Sequence, residues 1–143
     1  LVPTSEMTAV FVALAQSGVQ VRIITPGIPD KSYVYSVTRS NYRQLVEAGV
    51  AVYEYTPGFI HAKQMIVDDD TAIIGTINFD FRSFYLHQEN AVWMYQTSAI
   101  ADMSADFEAT VAKCRRIDLA MVRSTPWWRR AGWLVLRTFS PLM

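Results

Sequence analysis

The chain is poor in the residues that build disulfides and metal centres. It has one cysteine, Cys114, and two histidines, His61 and His87, in 143 residues. One cysteine excludes an internal disulfide and a cysteine metal cluster. Two histidines leave no multi-histidine metal site, so neither metal nor any other cofactor is expected. Neither sign of charge is in excess, since 13 Lys and Arg balance 13 Asp and Glu. A dedicated nucleic-acid binder is normally basic, so the balance speaks against nucleic acid as the partner. No apolar run approaches the ~20 residues of a membrane span, and no signal peptide is visible. Repeats and low-complexity segments are absent too. What is present is apolar: 51% of the residues are hydrophobic and only 18% are charged. Such a chain buries a core and is not disordered. Its length fits one domain. It opens on Leu1-Val2-Pro3 with no methionine, and a fragment of a longer protein is expected.

The periodicity alternates between helix and strand. Thr4 or Ser5 caps a helix running to about Ser17, with Met7, Val10, Phe11 and Leu14 at helical spacing and Gly18 as its stop. Residues 19–24 read as a strand ending at the rigid loop Pro26-Gly27-Ile28-Pro29. A second helix is expected over residues 40–48, with Tyr42, Leu45 and Val46 inward and Gly49 as its C-terminal stop. Residues 50–55 are strand-like, and Thr56-Pro57-Gly58 is a turn. Residues 59–67 form the next strand, Asp68-Asp69-Asp70 turns it, and residues 71–75 return. A further strand covers 91–95, and Thr97 caps a long helix with Ile100, Met103, Phe107, Val111 and Cys114 on one stripe. This order indicates an α/β fold, a mixed β-sheet flanked by helices.

The run from His61 to Asn78 carries the chemistry. It reads His61-Ala62-Lys63, four residues, Asp68, six residues, then Gly75-Thr76-Ile77-Asn78. Strand alternation places His61 and Lys63 on one face. A neutral imidazole can attack phosphorus, and a protonated one can hand its proton to a leaving alkoxide. The Lys63 ammonium can offset charge on phosphoryl oxygens. Gly75 permits close backbone approach, and the Thr76 hydroxyl and Asn78 amide can donate to phosphate oxygens. Asp68 is either a member of the site or part of a polar turn. An imidazole doing acid–base work needs a partner on its other ring nitrogen. Glu89, just before the strand over 91–95, is the candidate partner for His61. His87 has no matching neighbours and is left out of the site.

The last stretch differs in character. Thr125-Pro126 is a helix start with proline at the first helical position. Trp127, Trp128 and Trp133 follow, mixed with Arg123, Arg129, Arg130 and Arg137. This mix suits a lipid headgroup boundary, and equally a terminal helix docked on the rest of the protein. The chain is therefore divided into a catalytic body, residues 1–118, and an amphipathic tail, residues 119–143.

The spacing of the central run matches the HKD signature of the phospholipase D superfamily, H-x-K-x4-D-x6-G-[ST]-x-N. The resemblance extends further. Gly18-Val19-Gln20-Val21-Arg22, Arg39-Ser40, Leu45-Val46-Glu47-Ala48-Gly49-Val50, Tyr53-Glu54-Tyr55, Asn78-Phe79-Asp80-Phe81-Arg82-Ser83 and Glu89-Asn90 all resemble bacterial cardiolipin synthase, in its C-terminal catalytic half. The resemblance implies a phospholipase D-like half-domain. It implies a metal-independent phosphatidyltransferase joining two phosphatidylglycerol molecules into cardiolipin, with release of glycerol, through a phosphohistidine. It assigns His61, Lys63, Asp68 and Glu89 to catalysis, with Lys63, Thr76 and Asn78 on the phosphate. Asp68 then supports the site without touching substrate, and Glu89 lies against the catalytic histidine. The location implied is the bacterial inner membrane, through anchoring segments outside this chain. Family members build one active site from two HKD halves. Only one H-x-K is present here, so the second half comes in cis or from a homodimer partner. The alternative is a one-motif phosphodiesterase, nuclease or phospholipase D working as a homodimer. A scaffold fragment with an incomplete site is the non-enzymatic alternative.

Overall fold

A computed structural model describes residues 3–29, 31–128 and 132–133. The first helix, α1 (Ser5–Gln16), starts where Thr4 accepts a hydrogen bond from the Met7 amide at 3.3 Å, satisfying one of the first-turn donors. Phe11 and Ala15 carry its contact with the core, whereas Val10 and Leu14 lie on its outer flank, exposed. Its end consumes the residues after it. Ser17, Gly18 and Val19 amides return to the carbonyls of Ala13, Ala15 and Leu14, with Gly18 at φ 94°. Strand β1 (Arg22–Pro26) therefore starts three residues later than the apolar run predicts. It reaches Pro26, which is tolerated because β1 is an edge strand.

Helix α2 (Ser32–Glu47) begins eight residues before its expected start. The stretch 32–39 is rich in β-branched and aromatic residues, poor helix formers. Burial of Val37 and Thr38 overrides that preference. Gly49, at φ 99°, closes the helix while the Val50 amide reaches back to Leu45, a Schellman-type end. Strand β2 (Ala51–Tyr55) runs parallel to β1.

Strands β3 (Gln64–Val67), β4 (Thr71–Gly75) and β5 (Ala91–Tyr95) form an antiparallel sheet in that order. The strand expected over 59–67 is thus shortened at its front. β4 ends at Gly75, whose amide donates to the Lys63 carbonyl at 3.1 Å, so residues 59–62 have no ladder partner on β4. A short helix, α3 (Phe81–Tyr85), precedes β5 and is capped by Asp80. Helix α4 (Ser98–Val111) stops short of Cys114, which sits instead in β6 (Cys114–Arg116), antiparallel to β2. The sheet is therefore two three-stranded pieces, β1-β2-β6 and β3-β4-β5, with helices around them. Helix α5 (Leu119–Arg123) follows, and its Met121 and Val122 pack against the core. The first turn of the expected tail is thereby part of the folded body. Of the rest, residues 129–131 and 134–143 lie outside the described residues.

Tyr42, Leu45, Val50, Val52 and Ile117 form the buried core between α2 and the first sheet. Leu45 is 1% exposed. Leu45→Ala is expected to cost about 2–5 kcal/mol, from lost transfer energy and the cavity left behind, read as a shift in the urea midpoint. Beside this core lies Glu54, fully buried, ion-paired with Arg39 at 3.3 Å and Arg115 at 2.5 Å. The Tyr35 hydroxyl donates to it at 3.3 Å. A charge can be buried here because two guanidinium groups and a hydroxyl replace its water.

Candidate active site

Antiparallel pairing brings the candidate residues other than Asp68 to one end of the second sheet. The approach to β3, the end of β4 and the start of β5 all meet there. Lys63 pairs with Gly75, Gly75 is opposite Ala91, and the Thr76 amide donates to the Asn90 carbonyl at 2.9 Å. The approach is close enough to demand glycine. A Cβ on Gly75 would lie 2.2 Å from the Asn90 carbonyl oxygen and 2.6 Å from the Ala91 Cα.

The Thr76 hydroxyl donates to Glu89 Oε2 at 2.5 Å and accepts from the Asn90 amide at 3.0 Å. Its proton is thus held by the carboxylate. Glu89 Oε1 faces His87 Nδ1 at 3.8 Å. The hydrogen bond from Thr76, joined by Ser83, holds the Glu89 carboxyl below its ordinary range. A carboxyl depressed in this way adds stability above the unfolded value of ~4.3, and that stability is lost as pH falls through the folded value. Glu89→Gln is expected to lower the urea midpoint at pH 7, with the deficit shrinking as pH is taken from 5 toward 3. A deficit independent of pH would show that the charge is not what the fold uses.

Asn78 sits between β4 and α3. Its backbone amide donates to the buried Ser83 Oγ at 3.2 Å, and the Ser83 amide donates to Asp80 Oδ1 at 2.8 Å. The Asn78 side-chain amide has no hydrogen-bond partner among the described residues, so it is free to take a ligand oxygen. The Lys63 ammonium donates to the His61 carbonyl at 2.8 Å. Burial pulls the Lys63 pKa down, and the charges of Glu89 and Asp80 oppose that.

His61 is exposed, and its ring stacks on Phe59 with centroids 5.7 Å apart. Neither imidazole nitrogen has a hydrogen-bond partner among the described residues. The carboxylate expected to orient it, Glu89, is bonded to Thr76 and faces His87. Asp68 is at the other end of the β3–β4 hairpin, at φ 51° in the left-handed turn. Four residues, or five steps of extended chain, separate it from Lys63, roughly 17 Å, so it cannot touch what Lys63 holds. The turn is tied to α4 by its neighbour Asp69, which accepts from Ser104 at 2.9 Å. Ser83, Asp80, Phe59 and His87 join the site without having been expected there. An aspartate directly before the helix, Asp80, is the readable sign of the cap. Among the described residues, no group of His, Cys, Asp and Glu is placed to hold a metal ion.

An imidazole open to solvent, an ammonium, a free amide and a carboxylate-bound hydroxyl suit nucleophilic or acid–base chemistry on a phosphodiester. Comparison with known proteins gives the family and the fold. The family described as "Cardiolipin synthase, PLD-like domain" matches residues 1–111. An uncharacterised protein of Streptococcus mutans is 41% identical over all 143 residues, which are 31% of its length. Proteins named cardiolipin synthase from Halalkalibacterium halodurans and a Geobacillus species are 38% and 39% identical over 142 residues, 28% of each. The chain thus spans under a third of the length of these relatives. The crystal structure of the phospholipase D family member Nuc from Salmonella typhimurium superposes with a TM-score of 0.70 at 19% identity. It covers 81% of this chain and 76% of that one, and it shares the fold.

Proposed function

Because the chain belongs to the family of cardiolipin synthase phospholipase D-like domains, we propose that it is one catalytic half of a phosphatidyltransferase that makes cardiolipin from two phosphatidylglycerol molecules. The observation that carries this reading is the meeting of Lys63, Gly75, Thr76, Asn78 and Glu89 at one sheet end, beside an unencumbered His61. In the first step an imidazole nitrogen attacks phosphorus and the bond to glycerol breaks. A second, protonated imidazole passes its proton to the departing alkoxide. In the second step a hydroxyl of another phosphatidylglycerol gives its proton to that now neutral imidazole and attacks phosphorus. The phosphorus–nitrogen bond breaks and cardiolipin leaves. Lys63 and Asn78 hold the non-bridging oxygens as charge builds on them.

The two steps need two imidazoles, and His61 supplies one of them. The other belongs to a second HKD half, in the longer protein or in another copy. The second sheet offers a surface for it. Register puts Lys63, Met65, Val67, Ile73, Trp93 and Tyr95 on one face. Trp93 is 64% and Tyr95 51% exposed, with stacked rings. An exposed apolar face of this kind, continuous with the site, suits a partner domain. The substrate places the protein at the bacterial inner membrane. Among the described residues no helix is long and apolar enough to cross a membrane, so attachment falls to the Trp- and Arg-rich tail or to segments of the longer protein.

The presence of a single H-x-K in the chain favours one other reading, a one-motif phosphodiesterase or phospholipase D acting as a homodimer. Rapid acid-free quenching of the longer protein with phosphatidylglycerol tests the shared chemistry. A phosphatidyl adduct on a histidine, found by peptide mass spectrometry, is expected. Turnover with no such adduct at any time point would contradict a covalent route.

A further inference from the structure

We propose, on the phosphodiester reading of the candidate active site, that Ser83 is a positioning residue: its buried hydroxyl holds the Asn78 backbone so that the Asn78 carboxamide meets a non-bridging oxygen of the substrate. Asn78 lies between β4 and α3, outside any strand or helix. Its backbone amide donates to Ser83 Oγ at 3.2 Å. Ser83 is in turn fixed by the helix. It is the third residue of α3, and its own amide donates to the capping carboxylate of Asp80 at 2.8 Å. A side chain at this position of a capped helix can turn back on the residues that precede it, as the glutamate of a capping box does to the amide of the cap residue. Here the side chain is a serine, and the amide it takes belongs to Asn78, two residues before the cap.

Serine is not a strong helix former, and a hydroxyl this buried, in a residue 6% exposed, needs partners. Oγ accepts from Asn78, which leaves its own proton for an acceptor. Glu89 is that acceptor, since Ser83 joins Thr76 in holding the Glu89 carboxyl low. Ser83 thus links the loop that carries Asn78 to the carboxylate that holds Thr76. The start of α3 also borders the ammonium, because the charge of Asp80 reaches Lys63. The loop does not depend on this link alone. Phe79, next to Asn78, has its ring 5.7 Å from Phe11 of α1 and 5.7 Å from Phe84 of α3. With Ser83→Ala the loop therefore stays in place. What is released is the Asn78 backbone, and with it the direction of the Asn78 side-chain amide.

A double-mutant cycle separates this role from a merely structural one. The enzyme is the longer protein with both HKD halves, and the substrate is a short-chain phosphatidylglycerol below its micelle concentration. The readout is kcat/KM for glycerol release, which is the same whether a lipid or water accepts the phosphatidyl group. Asn78→Ala is expected to lower kcat/KM about 10²-fold, as loss of a donor to developing charge does. Ser83→Ala is expected to lower it about tenfold with Asn78 present, and by less than about twofold in the Asn78→Ala background. Ser83→Cys keeps a weak acceptor. Its loss is expected to be smaller, and it takes the place of the alanine variant if that one does not fold. If Asn78→Ala is too slow to measure, affinity for dimethyl phosphate, read from the Gly75 amide shift in the 143-residue chain, supplies the same cycle. Equal losses in both backgrounds, or no loss from Ser83→Ala with Asn78 present, would overturn the proposal and leave the phosphodiester site standing. No glycerol release by the wild type would overturn the site reading and this inference together.

Discussion

His61→Ala, in a protein that carries both HKD halves, is expected to cut cardiolipin formation by at least about a hundredfold while leaving the fold intact. His61 is exposed and contributes one ring stack on Phe59, so the stability change should stay within about 0.5 kcal/mol. The rate loss is a different matter, and its size assigns the role. General acid–base catalysis contributes about 10²–10⁴-fold. Removing a nucleophile costs on the order of 10⁶. Stopped assays with phosphatidylglycerol vesicles, checked by circular dichroism for folding, give both numbers. A smaller loss with accumulation of the phosphatidyl adduct on the partner histidine marks His61 as the acid and then the base. A complete loss with no adduct marks it as the nucleophile. Activity unchanged from wild type would remove His61 from the chemistry.

Gly75→Ala should be the most damaging conservative change in the chain. The new Cβ would stand 2.2 Å from the Asn90 carbonyl oxygen and 2.6 Å from the Ala91 Cα. Both are backbone atoms of the segment leading into β5, so no side chain can swing aside to make room. β4 and β5 must separate at the site. The same movement breaks the Thr76–Asn90 and Thr76–Glu89 hydrogen bonds. Overpacking of this kind costs about 1–3 kcal/mol and occasionally more. The lost bonds add about 1 kcal/mol each. A loss of at least about 3 kcal/mol in urea unfolding is expected, with loss of activity in the longer protein even where the fold survives. Gly58→Ala is the control, because nothing lies within 4 Å of a Cβ there, and it should be close to neutral. Equal effects of the two substitutions would contradict the described packing.

The parts of the fold that the sequence made legible are those where local signals and tertiary packing agree. The Thr4 cap, the Gly49 stop and strands β2, β4 and β5 lie at or within one residue of where periodicity puts them. The misplaced elements are those in which a long-range partner decides. Residues 59–63 have the alternation of a strand, but β4 is too short to pair with most of them. The first half of α2 looks unhelical and is held by burial of Val37 and Thr38. Cys114 continues a helical stripe, yet pairing with Tyr55 claims it for β6. The site shows the same division. Spacing alone brings Lys63, Gly75, Thr76 and Asn78 together, because a hairpin fixes their register. Partners across the sheet are harder to read. Glu89 takes Thr76 and faces His87 in place of His61, and the Glu54 cluster on the first sheet joins residues up to 61 positions apart.

The most direct measurement is the lipid product made by the longer protein from phosphatidylglycerol vesicles, without added metal, read by mass spectrometry. The account predicts cardiolipin and one released glycerol for each cardiolipin formed. Phosphatidic acid in its place would mean that water, and not a lipid hydroxyl, accepts the phosphatidyl group, and would contradict a cardiolipin-forming phosphatidyltransferase.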